Sequence, residues 1–342
     1  MIRRPPRSTL SSSSAASDVY KRQLLAFISL VIVLSLSRGS VELSSHELIK
    51  AFLREGDLTN QIIFWELRLP RLIASLLVGS ALGMSGALLQ GMLRNGLASP
   101  YLLGISAGSG LVIVLLISMG LWLSWIPIAA WIGAIITTLI VYCLAKSGTS
   151  ISVERLILAG VALSSLFGSI QSMLLLQTED GRVQAALTWL IGSLNSRGWT
   201  EIKLAGPPII FALVVGLLLS RQLNLLGLGD ELSVGLGNSL FRSRCLIGAS
   251  ATLLAASSVS VGGLIGFVGL IVPHAVRFLF GTDYKVVLPF SALLGAFTLS
   301  SADLIARSGT IELPVGIITS LLGAPIFILL LYKRQKSLTS LR

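Results

Sequence analysis

Ten apolar stretches, separated by short polar segments, dominate the pattern of residues along the chain. The stretches are residues 24–40, 69–91, 102–119, 126–145, 156–176, 204–220, 245–262, 263–276, 286–305 and 314–332. A helix needs about 20 mostly apolar residues to cross a bilayer, because lipid cannot satisfy its backbone polar groups. The pattern therefore predicts an all-α integral membrane protein with about ten transmembrane helices.

Glycine marks two parts of this pattern. The eighth stretch is short and glycine-rich, and Pro273 lies near its end. It is too short to cross a bilayer alone, so we expect a short or broken helix packed inside the bundle. Gly79 and Gly83 stand four residues apart in the second stretch, a spacing that favours close approach of helices in lipid.

The first 22 residues differ from the rest of the chain, because they are polar and rich in serine and proline. Such a composition predicts a disordered leader, and a translated linker of non-native origin is one explanation for it. The segment could also join Leu24–Ser37 as a signal peptide, but Arg38 follows where a small-residue cleavage site is needed. We therefore favour a retained first helix and assign residues 23–342 to a single transmembrane domain.

Composition supports the membrane assignment and narrows the class of protein. Hydrophobic residues make up 54% of the 342 residues, charged residues make up 12%, and the mean hydropathy is +0.87. The net charge is +11, but the basic residues are spread over short loops, so they indicate topology rather than nucleic-acid binding. Cys143 and Cys245 show neither CxxC spacing nor a histidine cluster, so we expect no disulfide and no metal site.

The positive-inside rule predicts which side of the membrane each loop faces. If the N-terminus is cytoplasmic, most lysines and arginines fall on the inner loops and most acidic residues fall on the outer ones. Ten helices would place both termini in the cytoplasm.

Three arginines break this rule and are candidate functional residues. Arg68 and Arg71 flank Pro70 at the outer mouth of the second stretch, and Arg307 stands at the outer end of the ninth. Proline suits the first turn of a helix, whose positive dipole end would add to the two charges. The position fits docking of an acidic partner or capture of an anionic solute, and interaction with lipid phosphates is the alternative.

The energy source for transport is not evident within this chain. The centres of the apolar stretches lack the acidic residues that an ion-coupled transporter usually carries there. No phosphate-binding loop occurs, since the dipeptide Gly-Lys is absent. His274 is interpreted as a structural residue rather than a proton relay. We therefore expect a separate ATPase subunit, and reject hydrolysis by Ser106, whose G-x-S-x-G match opens an apolar helix.

The longest inner loop, residues 221–243, is the natural contact for such an ATPase. Asp230 could cap a short helix that ends near Gly235 or Gly237. That helix could transmit motion between subunits, whereas an ordinary connecting loop is the alternative.

Several motifs in order resemble one known family. They are RLPRLIASLLVGSALGMSGALLQGMLRNGLASPYLLGISAGSG (68–110), LGLGDELSVGLG (226–237), GGLIGFVGLIVPHAVRFLFG (262–281), ADLIAR (302–307) and ELPVGIITSLLGAPIFILLL (312–331). Across residues 24–335 the chain resembles the FecCD-type permease subunits of bacterial ABC importers for siderophores, haem and vitamin B12.

The resemblance implies a set of partners and a mechanism. It implies a permease fold of ten helices, paired with a second permease subunit as a homodimer or with a related chain. It also implies two cytoplasmic ATPase subunits, an extracytoplasmic substrate-binding protein, a location in the cytoplasmic membrane and no cofactor. The expected function is import of a ferric siderophore or related chelate by alternating access. Cobalamin or haem remain alternative cargoes, and an ion-coupled secondary transporter is a more distant alternative.

The resemblance also assigns roles to individual residues. It implies that Arg68, Arg71 and Arg307 receive acidic residues of the binding protein. The implied ATPase-contacting residues are Gly229, Asp230, Glu231, Gly235, Leu236 and Gly237. His274 and Arg277 also match a family motif, and no role is assigned to them.

Overall fold

The computed structural model describes residues 8–339, apart from residues 40, 42, 122–124, 148–149 and 310. The α-helices of this part are α1 (Ser8–Ser37), α2 (Ser45–Phe52), α3 (Leu58–Ile62), α4 (Leu69–Met92), α5 (Ile105–Ser118), α6 (Ile126–Ala145), α7 (Val153–Leu176), α8 (Asp180–Ile191), α9 (Trp199–Leu218), α10 (Ser220–Gly227), α11 (Asp230–Gly235), α12 (Leu240–Gly262), α13 (Val268–Phe280), α14 (Tyr284–Ala306) and α15 (Val315–Thr339). A π-helix, Ile63–Arg68, joins α3 to α4, and a 3₁₀ turn, Pro100–Leu103, precedes α5. Two short antiparallel strands, β1 (Lys146–Ser147) and β2 (Ser150–Ile151), connect α6 to α7.

Every one of the ten apolar stretches lies largely within a helix. Six helical segments of the described residues are long and apolar enough to cross a membrane: Leu58–Met92, Ile126–Ala145, Val153–Leu176, Trp199–Leu218, Leu240–Gly262 and Tyr284–Ala306. Shorter apolar helices are Ile105–Ser118, Val268–Phe280 and Val315–Leu329. A helical protein with several membrane spans is therefore confirmed, while the number ten stays a prediction.

Helix α4 forms the centre of the bundle, with α14, α12, α9 and α13 packed around it. Its close packing against α14 depends on glycine. A Cβ atom added at Gly79 would overlap the backbone of Gly295, and one added at Gly83 would overlap the carbonyl oxygen of Ser291. The prediction that this glycine pair permits close approach is confirmed.

The eighth apolar stretch forms a short helix, but its bounds differ from the prediction. Helix α12 ends where Gly263 adopts a φ of 70°, and α13 begins only at Val268. Pro273 lies inside α13, rather than at its end. A proline in this position leaves the carbonyl of Gly269 without its helical donor. The side-chain amide of Gln90 on α4 replaces that donor, since its Nε2 lies 3.4 Å from the Gly269 oxygen.

Helix α1 also differs from expectation, because it begins at Ser8, within the segment predicted to be disordered. A helix that has formed over an apolar span extends at little cost, since each added residue gains one backbone hydrogen bond. Residues 1–7 of the predicted leader lie outside the described residues.

The two ends of the bundle carry different clusters of charged residues. We call the end that carries Arg68, Arg71 and Arg307 the arginine end, and the opposite end, which carries Asp230, the loop end.

Helix α7 is the least enclosed of the six long apolar helices, because only 11% of its most apolar window is buried, compared with 78% for the helix that contains α4.

Candidate functional site

At the arginine end, a proline shapes the helix that carries Arg68 and Arg71. The amide of Leu69 bonds the carbonyl of Phe64, five residues earlier, which is the π-helical pattern. Pro70 cannot donate in the same way to Trp65, so the Trp65 carbonyl is left free. The indole of Trp199, at the start of α9, donates to this oxygen at 2.9 Å. The proline thus creates an acceptor that ties α9 to the central helix.

Arg68 is buried and binds the backbone of α1. Its Nη1 donates to the carbonyl oxygens of Leu36 at 2.6 Å and Ser37 at 2.9 Å, and its Nη2 donates to Val41. The last carbonyls of a helix have no helical partner and carry partial negative charge. Arg68 therefore stabilises the C-terminal end of α1.

Arg71 and Arg307 share one acidic partner, Asp303, which is only 2% exposed. The Nε and Nη2 of Arg71 lie 3.0 Å and 2.8 Å from Oδ1 of Asp303, and Arg71 also pairs with Glu312. The Nε of Arg307 lies 3.6 Å from Oδ2 of Asp303, and its Nη2 donates to Ser35, in the last turn of α1. These contacts fix α4, α14 and the end of α1 to one another.

The structure thus brings the three predicted arginines together, around a cavity of about 370 Å³. Polar residues that line this cavity are Arg68, Arg71, Asn195, Ser196, Arg307 and Glu312. Each arginine already has partners within the chain, which sequence reasoning did not foresee. From the sequence, Asp303 and Glu312 are recognised only among the acidic residues of the outer side. Docking of an acidic partner at these arginines stays a prediction.

At the loop end, the short helix predicted within residues 221–243 is confirmed as α11, but its cap is not the predicted one. Gly229 precedes the helix with a φ of 105°, and Asp230 is the first helical residue. The Asp230 carboxylate accepts from Nη2 of Arg244 at 2.9 and 3.0 Å and lies 3.4 Å from Arg94. Asp230 therefore anchors α11 to its neighbours instead of capping it.

Apolar side chains project from this part of the loop end. Those that are more than half exposed are Leu228, Leu232, Val234 and Leu236. Ser233 faces inward and accepts from the amide of Asn238 at 2.8 Å, which orients the turn that follows. Gly237 adopts a φ of 81° in that turn. Exposed apolar groups arranged on an ordered helix are typical of an interaction surface.

A second polar cluster joins α10 to the start of α14. The amide of Asn224 donates to Oδ1 of Asp283 at 2.7 Å, and the backbone amide of Lys285 donates to the same oxygen at 3.0 Å. These hydrogen bonds stabilise the carboxylate and so hold the pKa of Asp283 below its usual value. The bond from the Lys285 amide has the larger effect, and the bond from Asn224 follows. Asp283 is thereby the N-cap of α14.

In the motif that contains His274 and Arg277, the arginine has a structural role. Arg277 donates to the side-chain oxygen of Gln90, the same residue whose amide compensates for Pro273. Among the residues that the structure describes, no group of three or more histidine, cysteine, aspartate or glutamate side chains could hold a metal ion.

Known proteins resemble this chain along most of its length. The profile of the FecCD transport family matches residues 27–333. The cobalamin import system permease protein BtuC of Halobacterium salinarum is 40% identical over 279 residues, which cover 81% of this chain and 75% of that protein. The Fe(3+)-citrate import system permease protein YfmE of Bacillus subtilis is 39% identical over 321 residues, which cover 91% and 96% respectively.

A solved structure matches at the level of the whole fold. It is an inward-facing conformation of a transporter assigned to the metal-chelate type of ABC transporters. The TM-score is 0.83 at 32% identity, and the match covers 91% of this chain and 98% of that one.

Proposed function

Since this chain belongs to the FecCD transport family and is an ABC importer permease, we propose that its cargo is a ferric siderophore or related iron chelate. The similarity to the Fe(3+)-citrate permease carries this proposal, because it amounts to 39% identity over 91% of this chain and 96% of that protein. The likeness to a metal-chelate type transporter supports it. Cobalamin is the second candidate, and haem is a third.

We place the chain in the cytoplasmic membrane as one of two permease subunits, with both termini and the loop end in the cytoplasm. Two ATPase subunits bind at residues 221–243, where the exposed apolar side chains of α11 and its flanks offer a contact surface. A second copy of the chain covers α7, whose apolar residues are otherwise largely uncovered. The path between the two permease subunits then opens alternately to the outside and to the cytoplasm, and the cargo crosses without covalent chemistry.

The arginine end receives the substrate-binding protein in this proposal. Arg68, Arg71 and Arg307 carry three positive charges around the cavity, whereas Asp303 and Glu312 carry two negative ones. The remaining positive charge suits an acidic residue of the partner, and Glu312, which is 35% exposed at its side chain, is the internal partner most easily exchanged. Opposite charges across an interface increase the rate of association and fix orientation.

Uptake into proteoliposomes tests the cargo. The permease is reconstituted with its ATPase, its binding protein is added, and radiolabelled ferric citrate, a ferric hydroxamate, hemin and cobalamin are compared. ATP-dependent uptake of a ferric chelate is expected. Uptake of cobalamin or hemin alone would overturn the proposed cargo, and uptake driven by an ion gradient without ATP would favour a secondary transporter.

Binding measurements test the docking site. Arg307→Gln removes the charge while leaving Arg71 to pair with Asp303. The affinity of the binding protein for the reconstituted permease should fall about tenfold, and the effect should shrink at high salt. Arg182→Gln is the matched control, because Arg182 lies at the same end but outside the cavity. Equal affinities for wild type and Arg307→Gln, with both proteins intact by gel filtration, would refute this docking assignment.

A further inference from the structure

Arg244 on α12 connects two elements of the loop end that do not adjoin in sequence. Its Nη2 donates to both carboxylate oxygens of Asp230, at the start of α11. Its Nη1 donates to the carbonyl oxygen of Ile151, in strand β2, at 2.9 Å. One guanidinium therefore holds the short helix and the hairpin at the same time.

The environment of Arg244 makes this link selective for arginine. The side chain is 5% exposed, so partners within the protein, rather than water, must stabilise its positive charge. The two nitrogens that form the link point in different directions from a rigid, planar group. A lysine side chain ends in a single nitrogen and lacks this fork, so it cannot reproduce both contacts with the same geometry.

The hairpin that Arg244 holds leads directly into α7. Strand β2 ends at Ile151, and α7 begins at Val153 after the capping residue Ser152. Only Leu156 and Gly160 of α7 are buried, and both lie near this end of the helix. The remainder of α7 packs against α5 and α6, and Gln171 donates to the carbonyl oxygen of Ala107 at 2.9 Å, so the hairpin sets the position of the first turns of α7.

Helix α7 also carries the features of a surface that faces a second subunit or an aqueous path. Ser165, Ser169 and Ser172 are exposed along a helix that is apolar enough to cross the membrane. Exposed polar groups in a membrane span usually face protein or water rather than lipid. In the proposed function this face meets the second copy, so a displacement of the hairpin would change the surface between the two subunits, along which the cargo moves.

We infer that Arg244 is a positioning residue that transmits movement of α11 to the hairpin and hence to α7. This inference rests on the proposed function, in which an ATPase binds at residues 221–243. When the ATPase displaces α11, Asp230 pulls on Arg244, and Arg244 moves Ile151 with it. Loss of the link leaves an ATPase that still binds and hydrolyses ATP, while the hydrolysis no longer drives the cargo path.

The test is the ratio of cargo transported to ATP hydrolysed by the complete importer in proteoliposomes. The cargo probe is radiolabelled ferric citrate or cobalamin, whichever the wild-type complex takes up. Arg244→Lys keeps the charge and lacks the fork, and this ratio should fall about tenfold while most ATPase activity remains. Arg155→Lys is the matched control, because Arg155 is exposed at the same end of the bundle and lies outside residues 221–243, and the ratio should not change.

A second variant covers the case in which Arg244→Lys fails to assemble. Arg244→Gln removes the charged fork and keeps a side-chain amide that can donate a hydrogen bond, and the same fall in the ratio is expected. An unchanged ratio, or equal losses of ATPase activity and uptake, in whichever variant assembles would overturn the inference while the proposed function stands. Failure of the wild-type complex to show ATP-dependent uptake of either probe would overturn both.

Discussion

Arg71 on α4 holds Asp303 on α14 through two nitrogens, although 232 positions separate the two residues in sequence. The Asp303 carboxylate also lies close to Arg307, so one buried acid serves two arginines. Removal of one member of a buried charge cluster is costly, because the remaining charges lose their partner without regaining water. The arginine end therefore depends on this acid for its structure, whatever partner it binds.

Asp303→Asn should reduce the free energy of unfolding by roughly 3–5 kcal/mol, since it leaves Arg71 and Arg307 without their shared carboxylate. Unfolding of the purified protein in mixed micelles measures this quantity. Glu179→Gln is the control, because the Glu179–Arg182 pair is largely exposed and should contribute less than about 1 kcal/mol. Similar losses for the two variants would show that the Asp303 cluster does not stabilise the fold.

Glu312→Gln tests whether Arg71 is available to a partner. The change removes a carboxylate that competes for Arg71, so the affinity of the binding protein for the permease should rise. The expected rise is about fivefold, which corresponds to the free energy of one exposed ion pair. Surface plasmon resonance on reconstituted permease gives the affinity. If the affinity stays the same or falls, Glu312 does not compete with the binding protein for Arg71.

The hydrogen bond from Trp199 to Trp65 should depend on Pro70. Trp199→Phe leaves the Trp65 carbonyl without a donor, which should cost about 1–3 kcal/mol of the free energy of unfolding. In a Pro70→Ala background, the restored backbone amide can serve the carbonyl, so Trp199→Phe should cost less. A double-mutant cycle by unfolding in micelles measures the coupling. The same cost in both backgrounds would contradict the proposed compensation.

Gly83→Ala should destabilise the contact between α4 and α14, because the added methyl group overlaps the carbonyl oxygen of Ser291. The expected loss is about 1–3 kcal/mol of the free energy of unfolding, or loss of the folded protein. Gly181→Ala provides the control, because a Cβ at Gly181 meets no atom within 4 Å. Equal stability of the two variants would show that the helices separate at little cost.

Because Asp283 caps α14, the free energy of unfolding should depend on pH. Hydrogen bonds lower the pKa of Asp283 in the folded state, so its contribution is complete above the usual pKa of aspartate and is lost as the pH falls through the lower, folded value. The difference in stability between wild type and Asp283→Asn should therefore shrink between about pH 5 and pH 3. Thermal unfolding across this range measures it, and a constant difference would exclude this role.

The sequence was sufficient for the helices that cross lipid, because a long apolar run has few alternatives in a membrane. It was insufficient for α8 and for the π-helix before Arg68. Helix α8, Asp180–Ile191, mixes polar and apolar residues, and its stability comes from packing against α5. The π-helix depends on Pro70 and on the hydrogen bond from Trp199 to Trp65, and such a distant contact has no local signal.

The candidate site divides in the same way. Charge on an unexpected side and the motifs around it singled out Arg68, Arg71 and Arg307, and the structure does bring them together. Their partners could not be foreseen, because Asp303 and the last turn of α1 are distant in sequence. Likewise, the sequence predicted Asp230 at the start of a short helix. Its bond to Arg244 could not be predicted, because it depends on how α11 lies against α12.

The unequal burial of α4 and α7 sets a limit on how this protein can work. A helix enclosed on several sides, with glycine–backbone contacts that admit no additional atom, cannot turn or tilt without breaking them. In the proposed transport cycle α4 therefore keeps its position against α14, and the helices that move are those with less packing within the chain, such as α7.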